Sequence, residues 1–430
     1  MIRKILQLKL ELLARLYLWR YKPEIIGVTG NAGKTSTKEA ISAVLSATRR
    51  VRVASGNLNN EFGIPLAILG GFDREYYEDG PSIGFWIKVV ILGFLKIILD
   101  LRNPELLILE YGADQPGDIK RLVSKYKPHI SVITTVGDVP VHIEFFKDAE
   151  VVAQEKSNLV KVLEAQDYAV LNHDDDRVLD MKQRTRAHIM TYGFDEESDI
   201  HVSGFDLISN EEGAPVGATF KLHNGQTFLP VTITGSLGKS QAWAAAAAAA
   251  VGIIYGMNLV DISEALSHYH GPKGRLNILK GIKKSHVIDD TYNASPASMR
   301  LALETLRDLP GLRKVAILGD MLELGDHTIP AHQAAGTFAA EFVNILVCIG
   351  SRAKFIAEAA MDQLPKENIF TFDTSEEAKL KVQELLKERD LILVKGSQGI
   401  RMEKIVAEII AEPQKAKNFL VRQSKKWLAK

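Results

Sequence analysis

The residues best suited to chemistry run from Gly27 to Thr37 as GVTGNAGKTST. A β-branched run, EIIGVTG, precedes them, and KEAISAVLSAT, with helical periodicity, follows. Glycines let the backbone approach a phosphate, and N–H groups at a helix start cradle the anion. Lys34 would reach the β- and γ-phosphates, and the Thr35 hydroxyl would hold Mg²⁺. The expected nucleotide contacts are Gly30, Asn31, Ala32, Gly33, Lys34, Thr35 and Ser36. The loop departs from G-x-x-x-x-G-K-[ST] at Val28, where that pattern has glycine. A chance glycine-rich turn would not supply strand, loop and helix together.

Such a loop needs a sheet to carry it. Further strand-like runs are LLILEYG (106–112), ISVITTVG (130–137) and YAVLNHD (168–174), with helical stretches between them. That alternation predicts a mostly parallel sheet covered by helices. Two alternating segments flank Asn224-Gly225, which predicts a β-hairpin. The alanine-rich QAWAAAAAAAVGIIYG predicts a helix packed closely on the sheet. GPKGRLN (271–277) reads as the domain boundary. Five more strand runs follow, at 286–292, 314–321, 345–350, 368–373 and 391–397, and predict a small Rossmann-like domain. The expected fold is α/β: a P-loop central ATPase domain with a mostly parallel sheet and a β-hairpin, over 23–272, then a Rossmann-like C-terminal domain, over 273–411. A basic amphipathic helix (1–22) and a basic amphipathic tail (412–430) flank them.

Length and charge narrow the function. The 430 residues suit two or three domains, and 25% charged with 46% hydrophobic residues is a globular balance. Lys+Arg and Asp+Glu both number 53, so no positive excess suggests nucleic acid. The balance is uneven, however. Residues 1–22 and 412–430 each carry six basic residues to one acidic, so the body between them is acidic. The single cysteine, Cys348, lies in the apolar run ILVCIG and cannot form an internal disulfide, which fits a reducing cytoplasm. The N-terminus lacks the form of a signal peptide. It reads as a basic amphipathic helix with Ile5, Leu8, Leu12, Leu13 and Leu16 at helical spacing. A greasy stretch from Ile83 to Leu101 is interrupted by Lys88 and Lys96, too soon to span a bilayer. These segments predict either helices packed on the body or a peripheral contact with the inner face of the membrane.

After the loop come GNLNNEFGIPL (56–66), LEYGADQPGDI (109–119), TTVGDVPVHIEFF (134–146) and AQEKSNL (153–159). Then follow GRLN (274–277), DDTYNASPASM (289–299), LGDMLELGDHTIPAHQ (318–333) and VKGSQGIRMEKIV (394–406). This set, in this order over about residues 23–410, resembles the Mur ligase family, and within it the MurF branch. The resemblance implies an ATP-dependent carboxylate–amine ligase of peptidoglycan precursor synthesis. Such an enzyme adds D-alanyl-D-alanine to a UDP-muramoyl-tripeptide through an acyl phosphate. It implies ATP and Mg²⁺, with Thr35, Glu110, His142 and Lys156 at the metal ions and Lys34, His142 and Lys156 as catalytic groups. Lys156 matches a lysine carbamylated in much of the family. Arg275, Asp290, Tyr292 and Asn293 match nucleotide contacts, and Gln241, which differs from the family's residue but can still hydrogen-bond, is expected as one too. Asn57, Asn59 and Asn60 match the nucleotide-sugar or peptide side, and His332, Lys395 and Ser397 face the incoming amine. A cytoplasmic monomer acting on small molecules is expected.

Two departures bear on substrates. Only about 25 residues precede the phosphate loop, where the family carries a domain that grips UDP; the alternatives are a substrate held differently or a lipid-linked one, which would fit the greasy helices. After GSLGK the family has a His-Asn pair and a later Asn, whereas this chain has Ser240, Gln241 and Ala244. A folylpolyglutamate synthase-like ligase and a ligase fold that has lost catalysis are competing functions. A P-loop GTPase or transport ATPase would leave the second-half motifs unexplained.

Overall fold

Burial on both faces shapes the first sheet. In β1 (Glu24–Thr29), β3 (Leu106–Glu110) and β4 (Ile130–Ile133), every residue but Glu24 is buried. Such near-continuous apolar runs belong to parallel strands covered by helices on both sides. A computed structural model describes the chain except residues 1, 55–57, 79, 138–145, 312 and 429–430. Its first sheet has nine strands. The others are β2 (Val51–Val53), β5 (Tyr168–Asn172), β6 (His188–Gly193), β7 (Ile200–Ser209), β8 (Pro215–Asn224) and β9 (Thr227–Thr234). Their order is β2-β3-β1-β4-β5-β6-β7-β8-β9, parallel through β7 and antiparallel beyond. The chain leaves β1 toward β2 and β3 on one side and later crosses to β4 on the other. Ligands of open α/β sheets bind where such connections diverge, at the carboxyl ends of the strands.

Alternation along each strand divides the core. Leu106 and Ile108 face the helices Lys34–Ser46 and Lys239–Ile254, whereas Leu107 and Leu109 face the opposite layer. The alanine-rich run forms the helix Lys239–Ile254 as expected, and Ala244 to Ala250 are all buried. The opposite layer includes helices Ile2–Tyr21 and Ile83–Ile98. The expected hairpin forms, but Asn224 pairs with Thr227, so its turn is Gly225-Gln226, with Gly225 at φ 59°. It belongs to a three-stranded antiparallel run with β7.

The second sheet comprises β10 (Asn277–Lys280), β11 (His286–Asp290), β12 (Lys314–Gly319), β13 (Ile345–Ile349), β14 (Ile369–Phe372) and β15 (Leu391–Lys395). Its order is β10-β11-β15-β12-β13-β14, with β10 antiparallel on an otherwise parallel sheet. The C-terminal segment does not form one amphipathic helix. It breaks into a turn at Pro413–Lys415 and short helices at Ala416–Phe419 and Lys425–Leu428. Leu420 is buried among apolar neighbours, and Arg422 pairs with buried Glu403 at 3.1 Å. These tertiary contacts outweigh helical periodicity.

Candidate active site

The phosphate loop is shaped by two left-handed glycines. Gly30 has φ 149°, and a Cβ there would lie 1.9 Å from Thr134 Oγ1. Gly33 has φ 84° and starts the Lys34–Ser46 helix without a side-chain cap. The first helical N–H groups therefore have no side-chain acceptor, which suits an anion. Asn31 donates its backbone N–H to Thr135 O and its side-chain amide to Val136 O, tying the loop to the end of β4.

Two lysines meet at this loop. Lys34 Nζ donates to Gly30 O at 2.7 Å, and Lys156 Nζ, from the helix Ala149–Lys156, donates to the same oxygen at 3.1 Å. Burial lowers the pKa of Lys34, opposed by Glu110. Lys156 is pushed down to about 7, chiefly by burial and next by the Lys34 charge. Glu110 ends β3 almost fully buried, and Thr35 Oγ1 lies 3.4 Å from its Oε2. Hydroxyl and carboxylate oxygens of this kind suit Mg²⁺.

The second sheet supplies the facing wall of the same cleft, which encloses about 910 Å³. Arg275 lies with its guanidinium 4.2 Å from the Tyr292 ring centroid. Both line the cleft with Asn293 and Ser397, opposite Gly30 to Thr35, Asn59, Asn60, Glu110 and Lys156. Asn60 also accepts N–H bonds from Phe62 and Gly63, capping the next helix.

Other expected contacts sit elsewhere. Gln241 is fully buried off the cleft. Its Nε2 donates to Arg275 O at 3.1 Å and its Oε1 accepts from Tyr269 Oη at 3.0 Å. It therefore holds the connection between the two sheets and does not present its amide to a base. Ser36 is buried off the cleft wall, and its carbonyl accepts from Tyr269. His332 is fully buried between Met321 N–H, 3.0 Å from Nε2, and Thr328 O, 2.6 Å from Nδ1. It supports the loop whose Leu322, Glu323 and Leu324 line the cleft. Lys395 and Asp290 form a buried ion pair at 2.6 Å behind that wall, and Lys395 also donates to Asn293 O at 3.0 Å. Burial lowers the Lys395 pKa. His142 and Asn57 lie outside the described residues.

Several lining residues were not among the expected contacts. Asp114 lies beside the lysines, and Tyr76, Tyr77, Arg401 and Trp427 complete the walls. Arg401 and Arg422 lie 5.2 and 5.8 Å from the Trp427 ring centroid, which brings the C-terminal segment to the cleft. Asp114 and Arg401 lie within LEYGADQPGDI and VKGSQGIRMEKIV and the tyrosines are adjacent in REYYEDG, whereas tertiary packing alone brings Trp427 here.

The models of the Mur ligase middle domain and of the Mur ligase glutamate ligase domain match residues 91–252 and 274–398. The chain is 30% identical to the UDP-N-acetylmuramoyl-tripeptide--D-alanyl-D-alanine ligase of Bacillus subtilis, over 94% of this chain and 79% of that protein. The chain belongs to the Mur ligase family. Members of this family are ATP-dependent amide-bond ligases. Among solved structures, MurF from Acinetobacter baumannii matches with a TM-score of 0.74 and 26% identity, covering 94% of this chain and 80% of that one. MurF ligase from Thermotoga maritima in complex with ADP matches with a TM-score of 0.75 and 25% identity, covering 95% and 84%. Folylpolyglutamate synthase from Mycobacterium tuberculosis, at 15% identity and a TM-score of 0.64 over 92% and 95%, shares the fold.

Proposed function

We propose that this Mur ligase joins D-alanyl-D-alanine to the free carboxylate of a UDP-muramoyl-tripeptide, with cleavage of ATP to ADP and phosphate. The observation that carries the reading is one cleft in which Lys34, Thr35, Glu110 and Lys156 face Arg275 and Tyr292. The MurF relatives supply the substrates by their names, and the ADP complex supports ATP.

A carboxylate is a poor electrophile. Its oxygen attacks the γ-phosphorus, the bond to the β-bridging oxygen breaks, and ADP leaves. The amine of D-alanyl-D-alanine then attacks the acyl phosphate, loses a proton, and phosphate departs as the amide forms. Lys34 and the loop N–H groups are placed to stabilise charge on the transferred group. Arg275 would add a cation from the opposite wall, and closure would exclude water from the acyl phosphate. Glu110 and Thr35 would hold Mg²⁺, which would neutralise phosphate charge. Lys156 suits carbamylation, because a depressed pKa leaves neutral amine to take up CO₂ and release a proton, creating an anion near Glu110. His142 keeps its assignment at a second metal ion by resemblance. The reaction belongs in the cytoplasm, where ATP is available.

Oxygen-18 in the acceptor carboxylate tests the chemistry. One labelled oxygen should appear in the released phosphate. Unlabelled phosphate would show that the carboxylate is not the group phosphorylated.

A further inference from the structure

We propose that the helices Ile2–Tyr21 and Ile83–Ile98 form a docking face for an anionic lipid bilayer. Each helix packs one side on the protein and leaves an apolar side in water. On the first, Leu10, Leu13, Ala14 and Tyr17 are buried, whereas Ile5, Leu8, Leu12, Leu16 and Trp19 are 38–74% exposed. At about 100° per residue, the second set forms a single stripe. Lys4 and Arg15 flank it on one side and Lys9 and Arg20 on the other, all exposed. The helix's only acid, Glu11, is held by Arg15 at 3.0 Å and Lys125 at 2.6 Å.

The second helix buries Phe85, Val89 and Gly93. Its outer half presents Ile83, Ile87, Ile91, Phe94, Leu95 and Ile98, each more than half exposed. The exposed charge there, Lys88, is paired with Glu75 at 2.6 Å. The helices run side by side in the same direction. Arg3 lies over Phe62, which packs on Trp86; Leu13 approaches Gly93; Tyr21 Oη donates to Lys96 O at 3.0 Å. Together with Leu92, Leu99 and Leu101, these segments hold 14 of the 22 large exposed hydrophobic side chains among the described residues. So large a concentration on one face marks an interaction surface.

Charge selects the occupant. An apolar stripe bordered by cations, with a tryptophan near one end, suits acyl chains beneath anionic headgroups. A second copy seated on this face would bring like cations together across a two-fold axis. Among the described residues no helix is long and apolar enough to cross a membrane, so the contact proposed is peripheral. The face also adjoins the cleft: Tyr76, on its wall, packs against Phe85 and Trp86 with ring centroids 6.0 and 5.9 Å apart.

Flotation of the full chain with vesicles tests the proposal and does not depend on the ligase reading. The protein should rise with equimolar phosphatidylglycerol and phosphatidylcholine and far less with phosphatidylcholine alone. Ile91→Glu with Phe94→Glu should lower binding about tenfold or more at unchanged melting temperature. Lys9→Glu with Arg20→Glu should lower it too and remove much of its salt sensitivity. No binding to either vesicle, equal binding to both, or equal binding by all variants would overturn the proposal. So would a dimer in sedimentation that Ile91→Glu with Phe94→Glu splits and that fails to bind vesicles.

Discussion

Lys34 and Lys156 share one carbonyl acceptor, and the Lys34 charge makes that of buried Lys156 costlier. Lys34→Ala should lower turnover about a thousandfold while the fold persists, read from steady-state rates and thermal melting. For Lys156 the sign follows from its depressed pKa. The amine is largely protonated below about pH 7 and largely neutral above it. Ligation should fall as pH drops through 7, and added bicarbonate should raise it; a rate indifferent to bicarbonate would remove the carbamate. Stability follows the same group: the folded state releases this proton first, so its contribution rises from about pH 7 toward 10.5. Lys156→Met should flatten that rise in urea titrations. At this scale the sequence revealed residue types more readily than directions. The phosphate-loop residues and Glu110 were legible because a strand end determines where they emerge. Gln241 and His332 carry hydrogen-bonding groups suited to ligands, yet burial and internal partners make both structural.

At the scale of elements, strands buried on both faces were readable from their continuous apolar runs. β2, β6, β7 and β10 were not, because partial exposure leaves them mixed in character. The alanine-rich helix was legible in both position and packing. Since Ala246 is fully buried, Ala246→Leu should cost about 1–3 kcal/mol through overpacking, measurable by chemical denaturation. Behind the cleft wall, Lys395 and Asp290 brace the turn that presents Tyr292 and Asn293. Asp290→Ala should destabilise by about 3–5 kcal/mol because it strands a buried cation, and the added change Lys395→Met should recover part of that loss. Full additivity in this cycle would mean that the pair is not coupled.

For the whole molecule, length allowed two or three domains, the pattern of runs indicated two α/β units and composition a neutral total, but none of these could place the basic ends. The structure puts the N-terminal helix beside Ile83–Ile98 and brings the C-terminal segment to the cleft through Trp427. Lys426 also lies near Gly80, two residues before the Ser82 cap of the second greasy helix. Those placements depend on tertiary contacts far apart in sequence, which periodicity does not encode. The central claim joins two substrates across two sheets, so product identity tests it most directly. Purified protein supplied with Mg²⁺, ATP, UDP-muramoyl-tripeptide and D-alanyl-D-alanine should yield, by mass spectrometry, their amide-linked product, with ADP and phosphate in equal amounts. Absence of that product, with amide formation from a folate and glutamate instead, would contradict the account.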